Sequence, residues 1–199
     1  MTTFLVFMGM IASGKSYLAE SLAAEHGYDY FNSDRVRKEL AGIDPTTSCK
    51  DEASQGIYTA QWSRRTYDRL IELAREHAGP DGSRFILLDG SYQARGERER
   101  LLAALADFGR VVFILCSCPE EVMRERMDKR AADPQAVSDG RWEIYLKQKE
   151  AFEPPAELGP NQLIELNTDA DLDVLKSHLD ERLEKAGLPK MRDGVFNGG

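Results

Sequence analysis

Apolar residues along the chain form five short runs, separated by longer stretches with helical spacing. Phe4–Met8 is continuously apolar, which is typical of a strand buried on both faces of a parallel sheet. Phe85–Leu88 and Val111–Leu115 have the same character. Two shorter runs, Tyr28–Phe31 and Leu163–Leu166, complete the set. The pattern predicts a parallel sheet of five strands.

Amphipathic stretches lie between these strands. The helices that they predict cover residues 15–26, 34–41, about 53–78, about 97–108, about 119–132, 138–152 and 172–186. Strands that alternate with helices indicate an α/β sandwich of three layers, with helices on both faces of the sheet. We expect one domain over residues 1–187, a helical lid at about 119–153, and a loose tail at 188–199.

The segment after the first strand, Gly9-Met10-Ile11-Ala12-Ser13-Gly14-Lys15-Ser16, fits the pattern Gly-x-x-x-x-Gly-Lys-Ser and is called the phosphate loop below. In this motif the glycines let backbone N–H groups, here including those of Ala12 and Ser13, point at a phosphate. Lys15 reaches the β- and γ-phosphates, and the Ser16 hydroxyl binds Mg²⁺. A chance match would be an ordinary turn, but the buried strand before it and the amphipathic helix after it favour nucleotide binding.

Asp34 follows the second predicted strand and begins a helix. It is either a helix cap or a carboxylate that accepts the proton of an attacking hydroxyl group. Ser33 can cap the helix instead, which leaves Asp34 free for the second role. Arg35, Arg37 and Lys38 then supply positive charge to the acceptor or the γ-phosphate, and Arg37 lies one helical turn from Asp34.

Asp89 ends the third strand and lies at the same edge of the sheet as the phosphate loop and Asp34, because the carboxyl ends of parallel strands meet there. Its carboxylate either helps to hold Mg²⁺ and the substrate or forms a turn before Gly90. The loop after it, with Tyr92 and Arg95, should lie over the same edge. Arg98 is expected on a helix surface.

The predicted lid carries four basic residues on one helix. Arg124 and Lys129 each have a glutamate four residues earlier, so each has a partner within the helix. Arg126 and Arg130 have like charge, lie four residues apart and have no such partner. They are either a solvated face or a site for an external anion such as the γ-phosphate.

Composition narrows the possible functions. The 199 residues carry a net charge of −8, which argues against nucleic acid as the main ligand, since phosphate contacts need a basic face. The longest apolar run is too short to cross a bilayer, and it lacks the features of a signal peptide. The three cysteines have the spacing of neither a disulfide framework nor a zinc site, so we expect a protein of the reducing cytoplasm. The oligomeric state stays open.

These motifs resemble the P-loop small-molecule kinases of the AAA_33 type over about Thr3 to Phe152. The chain also resembles the kinase domain of phage polynucleotide kinases and, more distantly, zeta-toxin and chloramphenicol phosphotransferase. The resemblance implies a P-loop NTPase fold and the use of ATP and Mg²⁺. It makes Asp34 the general base, places Arg37 near the reacting phosphate, gives Asp89 a part in arranging the site, and brings Arg130 to the phosphates.

The sequence departs from this pattern in that Tyr17 replaces the usual Thr after Ser16. We also expect no attached phosphatase domain. Three hypotheses remain. The first is an ATP-dependent kinase, a transferase acting on a hydroxyl of a small molecule, with Lys15, Arg126 and Arg130 stabilising charge. The second is a nucleotide-binding switch or slow ATPase, and the third is a kinase of 5′-hydroxyl nucleic acids.

Overall fold

The computed structural model describes residues 1–44, 47, 56–79, 85–131 and 142–191, without the side chains at 130 and 131. The strands are β1 Thr2–Met8, β2 Asp29–Asn32, β3 Phe85–Asp89, β4 Gly109–Ser117 and β5 Leu163–Asn167. The helices are α1 Lys15–His26, α2 Ser33–Leu40, α3 Ala60–His77, α4 Arg95–Leu105, α5 Glu120–Ala131, α6 Trp142–Ala151 and α7 Leu172–Lys185. A short 3₁₀ helix at Gly56–Tyr58 precedes α3.

The sheet has five strands in the order β2-β3-β1-β4-β5, and every neighbouring pair is parallel. The prediction of a five-stranded parallel sheet is confirmed. β1 lies in the centre with all seven of its residues buried. Its position explains the continuous apolar run, because both faces of a central parallel strand are covered by helices.

Successive side chains of β1 enter two different apolar cores, because they point to opposite faces of the sheet. Leu5 and Phe7 pack on the face covered by α1 and α7, and Phe4, Val6 and Met8 pack on the face covered by α3 and α4. The three-layer sandwich is therefore present as predicted. None of the described helices is long and apolar enough to cross a bilayer.

Part of the expected loose tail is packed. Leu188 and Met191 are buried in the core beneath α7, and the backbone N–H of Met191 donates to Oδ1 of Asp180 at 3.0 Å. The expectation of a loose tail is therefore wrong for residues 188–191, because these two apolar side chains extend the core. Residues 192–199 lie outside the described part, as does the beginning of the helix expected over 138–152.

Candidate functional site

The phosphate loop connects β1 to α1, and two of its positions require glycine. Gly9 has φ 143° and Gly14 has φ 82°, both in a region that L side chains rarely adopt. A Cβ at Gly9 would overlap the carbonyl oxygen of Cys116, and one at Gly14 would lie 2.9 Å from Thr168 Oγ1. Gly14 is also the N-cap of α1 and offers no side-chain cap, so the first N–H groups of the helix are available to an anion.

Polar side chains of the loop are placed for a phosphate chain. Lys15 folds back over the loop, where its Nζ donates to the carbonyl oxygen of Met10 at 3.3 Å. The Ser13 hydroxyl is buried and has no hydrogen-bond partner within the described residues. Ser16, in the first turn of α1, is half-buried. Positive charge and unpaired donors therefore meet near the N-terminus of α1.

Thr168 holds the phosphate loop through hydrogen bonds of its side chain. The sequence did not predict this residue as part of the site. The Thr168 hydroxyl donates to the carbonyl oxygen of Ser13 at 2.7 Å and accepts from Arg126 Nη1 at 3.1 Å. Arg126 also donates to the carbonyl oxygens of Ala12 (3.3 Å) and Thr168 (2.7 Å). The signal available in the sequence was position alone, because Thr168 directly follows β5 at the carboxyl edge of the sheet.

Sequence spacing gives Arg126 no partner within its own helix, but the structure gives it partners elsewhere in the chain. Its helical neighbours do not pair with it, but the packing of α5 brings its guanidinium group against the phosphate loop and the end of β5. Any contact of Arg126 with a nucleotide would therefore be made by a side chain that already holds the loop. The side chain of Arg130 lies outside the described residues.

We expect Thr168→Val to weaken ADP binding by about fivefold to tenfold, because it removes the donor to the buried Ser13 carbonyl oxygen and one of the acceptors of Arg126. Isothermal titration calorimetry with ADP measures this, and Thr59→Val, which removes the side-chain cap of α3 and no described contact with the phosphate loop, is the matched control. Equal ADP affinity in the wild type and Thr168→Val would exclude this support.

Asp89 is fully buried at the end of β3, next to the phosphate loop. Its Oδ2 accepts from the Tyr30 hydroxyl at 2.8 Å and from Asn32 Nδ2 at 2.6 Å. Burial, and then the charge of Asp89, raise the pKa of Tyr30, so the phenol stays a donor. Oδ1 has no hydrogen-bond partner among the described residues. A buried carboxylate with one unpaired oxygen fits a cation or its bound water.

No group of three or more His, Cys, Asp or Glu residues in the described ranges could hold a metal ion by itself. Mg²⁺ is commonly held by one or two protein oxygens together with substrate phosphates and water. Asp89 and the hydroxyl of Ser16 fit this kind of site.

Asn32, rather than Ser33, caps α2. Its Oδ1 accepts from the N–H groups of Asp34 (2.9 Å) and Arg35 (3.1 Å), and its Nδ2 binds Asp89. The predicted cap at Ser33 is wrong by one residue, because Ser33 is the first residue of the helix. The Asp34 carboxylate itself is not used for capping.

The Asp34 carboxylate is held by two side chains. The Tyr58 hydroxyl donates to Oδ1 at 3.1 Å, and Lys38 Nζ lies 3.1 Å from Oδ2. The Lys38 side chain is fully buried, whereas a third of the Asp34 side chain remains exposed. The carboxylate is therefore fixed in orientation and still reachable from solvent.

The two arginines of α2 have different surroundings. Arg37 is buried, donates to the carbonyl oxygen of Ile57 at 3.0 Å, and lies over the Tyr58 ring at 5.3 Å. Arg35 is exposed and binds Glu20 of α1 at 2.6 Å. Arg37 thus fixes the segment that carries Tyr58, while Arg35 pairs with a neighbouring helix.

The loop after Asp89 lies beside the phosphate loop, where the Ser91 carbonyl oxygen accepts from the backbone N–H of Gly9 at 3.3 Å. The side chains of Tyr92 and Arg95, however, do not lie over the sheet edge as expected. Tyr92 is buried, packs on Tyr67 with ring centroids 4.7 Å apart, and has φ 43°. Arg95 begins α4 and points outward, with Nε 2.7 Å from Glu99 Oε1. Both expectations are corrected, because a left-handed backbone at Tyr92 turns its ring into the core of the α3–α4 face.

Arg98 is not on the helix surface, as was expected, but fully buried. It forms an ion pair with Glu157 and donates from Nη1 to the carbonyl oxygens of Tyr92 and Gln93, each at 2.9 Å. This arginine therefore ties the loop after β3 to the segment that follows α6.

Helices α5 and α6 pack on each other beside the loop. Tyr145 is buried with Met123, Met127 and Ala12. Arg124 lies over the Trp142 ring at 4.0 Å, and Glu120, its expected partner, binds Lys149 at 2.9 Å. From α6, Gln148 Oε1 accepts from the backbone N–H of Ile11 in the phosphate loop at 2.7 Å.

Several solved structures share this architecture. A sugar kinase from Janibacter sp. HTCC2649 is 21% identical with a TM-score of 0.65, covering 92% of this chain and 95% of that chain. Kti12 from Chaetomium thermophilum, in complex with ADP-AlF3, is 16% identical with a TM-score of 0.63, covering 95% and 99%. The Mycobacterium tuberculosis APS kinase CysC, in complex with AMPPNP and APS, is 19% identical with a TM-score of 0.61, covering 92% and 98%.

At these identities the likeness establishes the fold, which is that of the P-loop NTPases. No curated relative matches the sequence. The family AAA_33, described as an AAA domain, matches residues 4–155, which include the phosphate loop, Asp34, Asp89 and both helices beside the loop. The chain belongs to the AAA_33 family of P-loop proteins.

Proposed function

We propose that the protein is a kinase that transfers the γ-phosphoryl group of ATP to a hydroxyl group of a small molecule. The observation that carries the proposal is the Asp34 carboxylate, which is fixed by Tyr58 and Lys38 and still exposed. It follows β2, while Asp89 ends β3 and the phosphate loop follows β1, and these three strands are neighbours. The proposed base Asp34, the buried carboxylate Asp89 and the phosphate loop thus lie along the carboxyl edge of the sheet.

In the proposed reaction Asp34 accepts the proton of the acceptor hydroxyl as that oxygen attacks the γ-phosphorus. The bond from the γ-phosphorus to the bridging oxygen breaks, and ADP leaves with that oxygen. Each oxygen of Asp34 has one described partner and therefore one lone pair left for the acceptor. Lys15 and the N-terminus of α1 stabilise the negative charge on the phosphates.

Ser16 and Asp89 would hold Mg²⁺, which supplies positive charge to the phosphate chain. Arg126 keeps the phosphate loop in shape through Ala12 and Thr168, and Arg130 is proposed to bind the phosphates. Arg37 acts through Tyr58, which it orients toward Asp34.

A small acceptor is favoured by the net charge of −8, because a polynucleotide would need an extended basic face. Structural relatives whose names describe kinases of small molecules, a sugar kinase and an APS kinase, support the same choice. We propose the cytoplasm as the setting, which agrees with the free cysteines Cys116 and Cys118.

Acceptor-dependent release of ADP tests the proposal. A panel of sugars, polyols, amino alcohols, nucleosides and a 5′-hydroxyl oligonucleotide is incubated with ATP and Mg²⁺, and ADP is measured by a coupled assay. We expect at least one small hydroxyl compound to raise ADP release at least tenfold above the rate without acceptor. ADP release at one rate with and without every compound would favour the nucleotide switch or slow ATPase instead. Stimulation by the oligonucleotide alone, with a KM that climbs steeply with salt, would favour the nucleic-acid kinase.

A further inference from the structure

Helix α6 contacts the phosphate loop through the side chain of Gln148. Its Oε1 accepts from the backbone N–H of Ile11 at 2.7 Å, and both residues are half-buried. This contact differs from that of Arg126, which binds a carbonyl oxygen of the loop. The N–H groups of a phosphate loop are the donors that bind phosphate. Gln148 therefore lies where a phosphate group would be recognised.

A carboxamide has two ends with opposite hydrogen-bonding roles. The oxygen of Gln148 is used by Ile11, and no described residue accepts from its nitrogen. Ile11 lies in the first half of the loop, three residues before Gly14 and the N-terminus of α1. The N-terminus of the helix favours the β-phosphate. The amide nitrogen of Gln148, beside Ile11, is therefore placed to donate to the next phosphoryl group of the chain, the γ-phosphoryl group.

We propose that Gln148 binds the terminal phosphoryl group of a nucleoside triphosphate with its amide N–H groups while its oxygen holds Ile11. The residue then distinguishes a triphosphate from a diphosphate. This inference rests on the nucleotide binding assumed in the proposed function, but not on the identity or existence of an acceptor.

The position of α6 does not depend on Gln148. Tyr145 packs against Met123 and Met127 of α5, and Lys149 binds Glu120 of α5 at 2.9 Å. Substitutions at position 148 should therefore leave α6 in place and change only the contact between this side chain and the phosphate loop.

The test compares the binding of AMPPNP and ADP, each with Mg²⁺, to the full chain by isothermal titration calorimetry. Gln148→Met keeps the length of the side chain and removes both polar ends. Gln148→Glu keeps the oxygen and replaces the donor by a negative charge. Lys147→Met is the matched control, since Lys147 is the exposed neighbour on the same helix. Thermal unfolding of each variant checks that it is folded.

We expect Gln148→Met to weaken AMPPNP binding by about tenfold, because a hydrogen bond to a charged group is lost, with ADP affinity within twofold of wild type. Gln148→Glu should weaken AMPPNP binding further, and Lys147→Met should change neither ligand. Equal weakening of both nucleotides, or an unfolded variant, would make Gln148 a structural link and overturn the proposal. Unchanged or tighter AMPPNP binding would overturn it as well, since Gln148 would then be dispensable or compete for the N–H of Ile11.

The outcome is separable from that of the acceptor assay. Selective loss of AMPPNP affinity together with acceptor-independent ADP release would support Gln148 and contradict the kinase. Acceptor-dependent ADP release, with AMPPNP affinity unchanged in the Gln148 variants, would support the kinase and contradict the role of Gln148.

Discussion

Asp34→Asn is expected to reduce acceptor-dependent turnover by about 10²–10⁴-fold, the range over which a positioned general base contributes to a rate. The amide keeps the shape of the carboxylate and can still accept from the Tyr58 hydroxyl, but it cannot take up the proton of the acceptor. The affinity for ADP should stay within twofold, because the phosphate loop lies after β1 and does not use this side chain.

Steady-state kinetics with the best acceptor, together with calorimetry for ADP, measures both quantities. Glu39→Gln is the matched control, since Glu39 is an exposed carboxylate of the same helix, and it should keep wild-type turnover. Full turnover in Asp34→Asn would remove Asp34 as the base. A parallel loss of turnover and of ADP affinity would mean that the substitution disturbs the fold.

Glu157→Ala is expected to destabilise the protein by about 3–5 kcal/mol, because it leaves the fully buried guanidinium group of Arg98 without its counter-ion. For a chain of this size, each 1 kcal/mol lowers the melting temperature by about 2–4 °C. Arg98 also holds the carbonyl oxygens of Tyr92 and Gln93, so the loop after β3 should loosen with it.

Denaturant unfolding at neutral pH measures the loss. Glu99→Ala removes an exposed ion pair with Arg95 on the same helix and should cost about 1 kcal/mol or less. The Arg98 guanidinium lowers the pKa of Glu157 below its usual range. The stabilisation is therefore complete above the unfolded-state pKa and is lost as the pH falls through the lower folded-state pKa. Equal stability of Glu157→Ala and Glu99→Ala would contradict this account.

The strands and the phosphate loop were predictable from sequence because both depend on local signals. A strand covered on both faces, such as Phe4–Met8, is a continuous apolar run, and the loop motif is contiguous. The edge position of Asp34 and Asp89 followed from parallel topology, since each comes directly after or at the end of a strand.

The parts that could not be predicted depend on contacts between residues distant in sequence. Thr168 reaches Ser13 across the sheet, and Arg98 reaches Glu157 across the segment that includes the lid. For Arg126, spacing within α5 gave only the neighbours on its own helix, whereas its partners come from the phosphate loop and from Thr168. The ring of Tyr92 points inward because Tyr92 itself has a left-handed backbone conformation. Such a conformation is usually predicted from a glycine or an asparagine, and this position has neither.

Phosphorus-31 NMR of the products tests the central claim, transfer of a phosphoryl group to a hydroxyl, most directly. The wild-type protein is incubated with ATP, Mg²⁺ and the acceptor that most stimulates ADP release. The account predicts a phosphate monoester resonance that grows in equal amount with ADP and is absent without acceptor. Inorganic phosphate as the only product besides ADP, formed at the same rate with and without acceptor, would contradict it.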